Sequence, residues 1–217
     1  MIKTALIAWL TIAMVILAYP YALEWQLYSL HPLGMALFAW SSGTAAIVLS
    51  FPTKPTPSTA ANKTANAHTS RVKTHALLGF VAFVSVAIGF AAIYANKIRQ
   101  NKLHFQSYHG ISGLVLFTLV IAVSTLGGAL HYFPVAVFGS LLHSKRYIFL
   151  KRYAGYAALT LSLYTFSLGL LMHSTEERIS STLRLFIFSS VLTTLVSTTW
   201  NFLVGQNQIK PASQRTK

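Results

Sequence analysis

Three of the eight histidines in this chain stand at the start of an apolar run. His31 precedes Pro32, His75 follows Lys73-Thr74, and His109 lies in Ser107-Tyr108-His109-Gly110. A neutral imidazole binds a transition metal through one ring nitrogen, while its other nitrogen donates to an acceptor that fixes the ring. His75 and His109 are 34 residues apart, the length of one membrane crossing plus a short loop, and so fall on opposite faces. His31 and His109 open runs that travel in the same direction, and so share a face. Two histidines facing each other from parallel helices supply both axial ligands of a haem iron. A single helix-end histidine is more often an interfacial anchor. Three at corresponding starts favour ligation, because ionisable side chains inside a span are functional by default.

The other five histidines carry weaker signals. His68 lies in a polar loop and reads as solvated, and His173 ends the fifth apolar run as an interfacial residue. His104 sits in a short loop on the His31 side, where it is placed to help bind a substrate. His131 and His143 fall on the opposite side.

The elements that must position these residues follow from composition. Of 217 residues 54% are hydrophobic and 9% charged, with a mean hydropathy of +0.56; soluble domains carry about a quarter charged residues. Six runs of bilayer length predict an all-α, polytopic six-helix bundle: Thr4–Leu23, Pro32–Phe51, Thr74–Ala95, Gly110–Leu130, Tyr153–Met172 and Leu185–Val204. The first is too long for a signal-peptide core and has no small-x-small cleavage site after it. Residues 1–205 form one membrane domain, and residues 206–217 a disordered basic tail. Pro52–Lys73 reads as a flexible loop, and Asn96–Ser107 as a polar connection. Glycines spread over runs two to five permit close helix approach and leave room for a flat macrocycle.

The net charge of +14 does not form a nucleic-acid-binding face, because the basic residues sit in short loops where they set orientation and meet lipid headgroups. Twelve of them gather on the side of the N-terminus, the second-to-third and fourth-to-fifth loops and the tail. Five lie on the other side, together with Glu24, Glu176 and Glu177. The positive-inside rule makes both termini cytoplasmic, which leaves the Asn62-Lys63-Thr64 sequon unmodified. The absence of cysteine excludes disulfides, thiolate metal sites and thioether-linked haem. A transporter or channel is disfavoured because no acidic residue sits within a run to relay protons or cations.

Leu30-His31-Pro32, Lys73-Thr74-His75, His104-Phe105-Gln106-Ser107-Tyr108-His109-Gly110 and Gly155-Tyr156 together resemble the cytochrome b561 family over roughly residues 25–175. The resemblance implies six helices and two b-type haems, one near each face. It implies electron transfer from cytoplasmic ascorbate to an outer acceptor, a ferric chelate or monodehydroascorbate. It also implies ligand pairs from helices two and four and from helices three and five, and dimers are common in the family, so a homodimer is implied as well. Carried over, His31 and His109 hold the outer haem, and His75 is one ligand of the inner haem.

The remaining ligand position departs from the family pattern. Where the family has His-x-x-Ser/Ala-Gly, this chain reads Lys151-Arg152-Tyr153-Ala154-Gly155. An amine binds iron only when deprotonated. Three readings stand: Lys151 ligates, His143 or His131 replaces it, or the inner haem is absent or five-coordinate. The last is preferred. It supports an alternative role as a one-haem sensor or partner subunit. Lys73, Lys145 and Arg146 are candidates for binding the ascorbate anion, and serve equally as topology-setting charges. Trp40, Phe80, Phe117 and Phe166 are aromatic residues that line the gap between the haems or simply pack.

Overall fold

The structure, a computed structural model, describes residues 1–51 and 60–209, with the side chains of residues 1–51 and 69–204. Among these residues the chain folds into helices joined by short connections: α1 (Ile2–Leu23), α2 (Leu30–Ser50), α3 (Ala60–Arg99), α4 (Tyr108–Tyr132), α5 (Pro134–Phe138), α6 (Leu141–Leu170), α7 (His173–Glu176) and α8 (Ser181–Ile209). Five segments are long and apolar enough to cross a bilayer: α1, α2, Thr69–Arg99 of α3, α4 and Ser181–Val204 of α8. The expected fifth crossing, Tyr153–Met172, coincides with the second half of α6 and the turn after it. Thr160, Ser162, Thr165 and Ser167 dilute the hydropathy of that half.

Polar side chains inside these helices are satisfied locally, as a hydrocarbon environment demands. Ser41 Oγ donates to Leu37 O at 2.6 Å, and Thr194 and Thr198 donate to Ser190 O and Thr194 O at 2.9 and 2.8 Å. Large apolar side chains such as Ile12, Val15, Leu77, Phe80 and Val115 face outward, toward lipid. Inside, one core cluster joins Leu10, Leu17 and Tyr21 of α1 to Ala36 of α2 and Ile187 of α8. A second joins Phe38 of α2, Ala82 and Val86 of α3, and Leu116 and Val120 of α4. Between α2 and α3 the backbones nearly touch. A Cβ on Gly34 would lie 2.8 Å from Ser85 O, and one on Gly89 2.6 Å from Met35 Cε.

Two expected loops are helical over much of their length. Pro52–Lys73 reads as a flexible loop, yet α3 begins at Ala60; no proline follows Pro57 within that stretch, and alanine-rich sequence favours helix. Lys73 and His75 therefore lie inside a helix rather than at its start. The backbone of His68 belongs to α3 as well, while its side chain and those of the sequon lie outside the described residues. The fourth-to-fifth connection holds α5 and the first turns of α6. Gly139 ends α5 at φ +74°, and Ser140 caps α6 by accepting from His143 N at 3.2 Å. Lys145, Arg146 and Lys151 are thus helical. α8 carries on to Ile209, into the tail expected from Gln206, and residues 210–217 lie outside the described residues.

At the His31 end, α7 and its flanks strap α1 to α8. Arg178 Nη2 meets Glu24 Oε2 at 2.6 Å, and Arg184 Nη1 meets Glu176 Oε1 at 2.7 Å. Tyr28 and Ser174 hydroxyls stand 2.8 Å apart, and Tyr21 reaches Thr175 at 3.3 Å. The hydrogen bond it donates to Glu24, reinforced by the carboxylate's charge, holds the Arg178 guanidinium above its usual pKa.

Candidate haem site

Each of the three helix histidines is tied to a carbonyl on the neighbouring helix. His31 Nδ1 of α2 lies 3.0 Å from Gly89 O of α3, and His75 Nδ1 of α3 lies 3.1 Å from Ala45 O of α2. His109 Nδ1 of α4 lies 3.0 Å from Thr165 O of α6. A carbonyl only accepts, so Nδ1 carries the proton in all three. Nε2 is left with a free lone pair, the tautomer a metal needs.

These contacts obey one rule of spacing. Ala45 stands fourteen residues after His31, and Gly89 fourteen after His75. Thr165 stands fourteen after Lys151, and the same step from His109 along α4 reaches Val123. Fourteen helical residues rise about 21 Å, so the bundle has two levels that far apart. Three of the four equivalent positions hold imidazole, and Lys151 is the fourth. The departure read from sequence is therefore also a place in the fold.

At the His31 level the two histidines face each other. Their ring centres are 6.1 Å apart and their planes are inclined by 82°. With metal–imidazole bonds of about 2 Å, two rings on opposite sides of one metal have centres roughly 6 Å apart. A Cβ on Gly169 would lie 3.1 Å from His109 Cε1, so glycine there makes room for the ring. A largely apolar cavity of about 360 Å³ opens around the pair, bordered by Met35, Phe90, Phe105, Phe117, Leu116 and Phe166. Among the described residues no three His, Asp or Glu side chains gather to hold a bare metal ion. Two histidines suit an iron whose other bonds come from a macrocycle, and this level fits haem.

At the other level His75 is anchored in the same way, and Lys151 takes the opposite position. The lysine chain lies over Gly127, where a Cβ would be 2.9 Å from Lys151 Cε and 3.3 Å from Nζ. Among the described residues nothing lies within 4 Å of a Cβ built on Gly79, Gly128 or Gly155, and Gly79 and Gly155 each stand one turn beyond His75 and Lys151. This level thus holds one imidazole and one amine, with open space beside three glycines. His131 and His143 are exposed at this end, as are Lys73, Lys145 and Arg146. None of these three cations has an ion-pair partner among the described residues.

The rim of the His31 cavity adds residues that sequence reading passed over. His104, singled out as a substrate contact, lines the cavity and stacks on Tyr94 with centres 4.2 Å apart. Below it Phe90 stacks on Phe117 at 4.4 Å. Lys97, counted only as a loop charge, lines the same cavity and donates to Leu103 O at 3.1 Å. Its place two residues past the end of the third apolar run was the available signal. Of the four aromatics expected to line the gap, Phe117 and Phe166 border the cavity. Trp40 instead donates to Thr11 Oγ1 at 2.9 Å, toward α1. Phe80 is 64% exposed on the lipid face and does not border this cavity. His173 is an exposed partner of Glu177 at 3.0 Å.

No curated protein matches the chain at a significant level. The family model described as eukaryotic cytochrome b561 matches residues 30–177, from the first residue of α2 to just past α7.

Proposed function

Since the chain belongs to the eukaryotic cytochrome b561 family and is thereby a membrane b-type cytochrome of transmembrane electron transfer, we propose that it passes electrons from cytoplasmic ascorbate through haem b to an outer ferric chelate or monodehydroascorbate. The observation that carries this reading is the His31–His109 pair, 6.1 Å apart with both Nδ1 atoms anchored. The second half of α6 is the sixth crossing, and the His31 end is the outer face. The charge count supports that orientation, with both termini in the cytoplasm.

Bound between these histidines, haem supplies a one-electron couple. The protein's own residues do the rest. His31 and His109 hold the axis, and the Gly89 and Thr165 carbonyls keep each Nδ1 protonated and each ring oriented. Phe90, Phe117 and Phe166 exclude water. Two levels about 21 Å apart divide a bilayer whose hydrocarbon is about 30 Å thick. Lys73, Lys145 and Arg146 attract the ascorbate anion at the cytoplasmic end, and His104 meets the acceptor at the outer rim.

A second reading, a one-haem member acting as a sensor or partner subunit, is favoured by Lys151 alone. A pyridine haemochrome assay on the purified protein separates the two: two haems per chain support full transfer, and one supports the second reading. Reduction of the haem spectrum by ascorbate is expected. His31→Ala and His109→Ala should each remove the outer low-spin signal. A normal low-spin spectrum retained in both variants would refute the ligation.

A further inference from the structure

Among the described residues Lys97 is the one Lys or Arg lining the His31–His109 cavity. Its Nζ donates to Leu103 O at 3.1 Å. The sequence has only three acidic side chains, and each is engaged elsewhere. Glu24 is held by Arg178 at 2.6 Å, Glu176 by Arg184 at 2.7 Å, and Glu177 by His173 at 3.0 Å. No acidic side chain remains to neutralise the ammonium that lines this mostly apolar cavity. Haem b carries two side-chain carboxylates on one edge, and an anionic acceptor carries the same chemistry.

We propose that Lys97 binds a carboxylate at the cavity mouth and raises the reduction potential of the iron held by His31 and His109. This rests on the haem reading above. The sign follows from charge alone. A nearby cation disfavours the more positive ferric form, and a haem carboxylate released from its partner would favour it. Both effects make loss of Lys97 lower the potential.

The test is an optical redox titration of purified holoprotein carrying Lys97→Met, Lys97→Gln or Lys97→Arg, without acceptor and then with citrate as an anionic probe. The expected result is at least a tenfold fall in the reduced-to-oxidised ratio at fixed poise for Met and Gln, about 59 mV for one electron. Lys97→Arg should stay near wild type. A fall seen without citrate, in a wild-type potential that citrate leaves unchanged, assigns the carboxylate to haem. A wild-type potential that shifts only when citrate is added, with no such shift in Lys97→Met, assigns it to a soluble anion. An outer low-spin component whose potential is unchanged in Met and Gln variants, with and without citrate, overturns the proposal while leaving the cytochrome reading intact. Wild-type protein that holds no haem in the pyridine haemochrome assay overturns both.

Discussion

Replacing Gly34 by alanine tests whether the α2–α3 crossing sets the outer site. The new Cβ would sit 2.8 Å from Ser85 O and 3.0 Å from Gly89 Cα, both backbone atoms that cannot swing aside. Reaching ordinary contact at 3.4 Å requires the helices to part by about 0.6 Å at this point. The His31 Nδ1–Gly89 O bond, 3.0 Å long, spans the same crossing. Stretched by that amount it leaves the range of about 2.7–3.2 Å in which N–H donors bond well. Overpacking of this kind costs about 1–3 kcal/mol, and loss of a histidine's carbonyl partner lowers metal-site affinity by roughly 10–100-fold. Haem transfer to excess apomyoglobin, followed at the Soret band, should therefore run at least tenfold faster for the outer haem of Gly34→Ala. Gly43→Ala is the control, because its closest contact is the mobile end of the Leu10 side chain at 2.7 Å. Equal transfer rates for Gly34→Ala and wild type would refute the claim that this crossing holds His31 in place.

Three further outcomes are expected. Lys151→His should add a second low-spin haem signal by absorbance and electron paramagnetic resonance, because the new imidazole completes the fourfold spacing opposite His75; a spectrum identical to wild type would remove position 151 from the site. Trp40→Phe deletes the donor to Thr11 Oγ1 at 2.9 Å, and polar contacts between membrane helices average about 0.6 kcal/mol. Its unfolding midpoint in mixed detergent should shift slightly with the haem spectrum unchanged, and a loss above about 3 kcal/mol would contradict a merely structural bond. The chain has no cysteine, so single cysteines report topology directly. An impermeant maleimide added to intact cells should label Lys102→Cys and leave Lys145→Cys unlabelled, and the reverse pattern would invert the orientation.

The histidines were legible in the sequence because an ionisable residue at the border of an apolar run is conspicuous. His31, His75 and His109 each have the anchored geometry that ligation requires. Helix starts were less legible. Polar residues extend α3 and α6 beyond the apolar stretch, since helix formation needs backbone hydrogen bonds and not hydrophobicity, and so His75 and Lys151 lie within helices. Lys97 was hidden for a related reason. A charge near a span end looks the same in sequence whether it faces solvent or a cavity, and the direction depends on how α3 packs on its neighbours. The basic residues Lys145, Arg146, Lys151 and Arg152 likewise masked the first half of α6, a helix of 30 residues.

The three histidine anchors have a consequence for how the molecule is put together. Each hydrogen bond lies within a helix pair, α2 with α3 or α4 with α6, and these are the pairs that pack most extensively along the hairpins. The His31–His109 axis runs the other way, from one pair to the other. The membrane unit is thus two self-bound hairpins joined across a seam, and the polar connection between α3 and α4 is the only covalent link there. A chain cut in that connection would keep both hairpins whole, and their reunion would draw on the core contacts of α4 with α2 and α3 and of α8 with α1, together with whatever His31 and His109 grip.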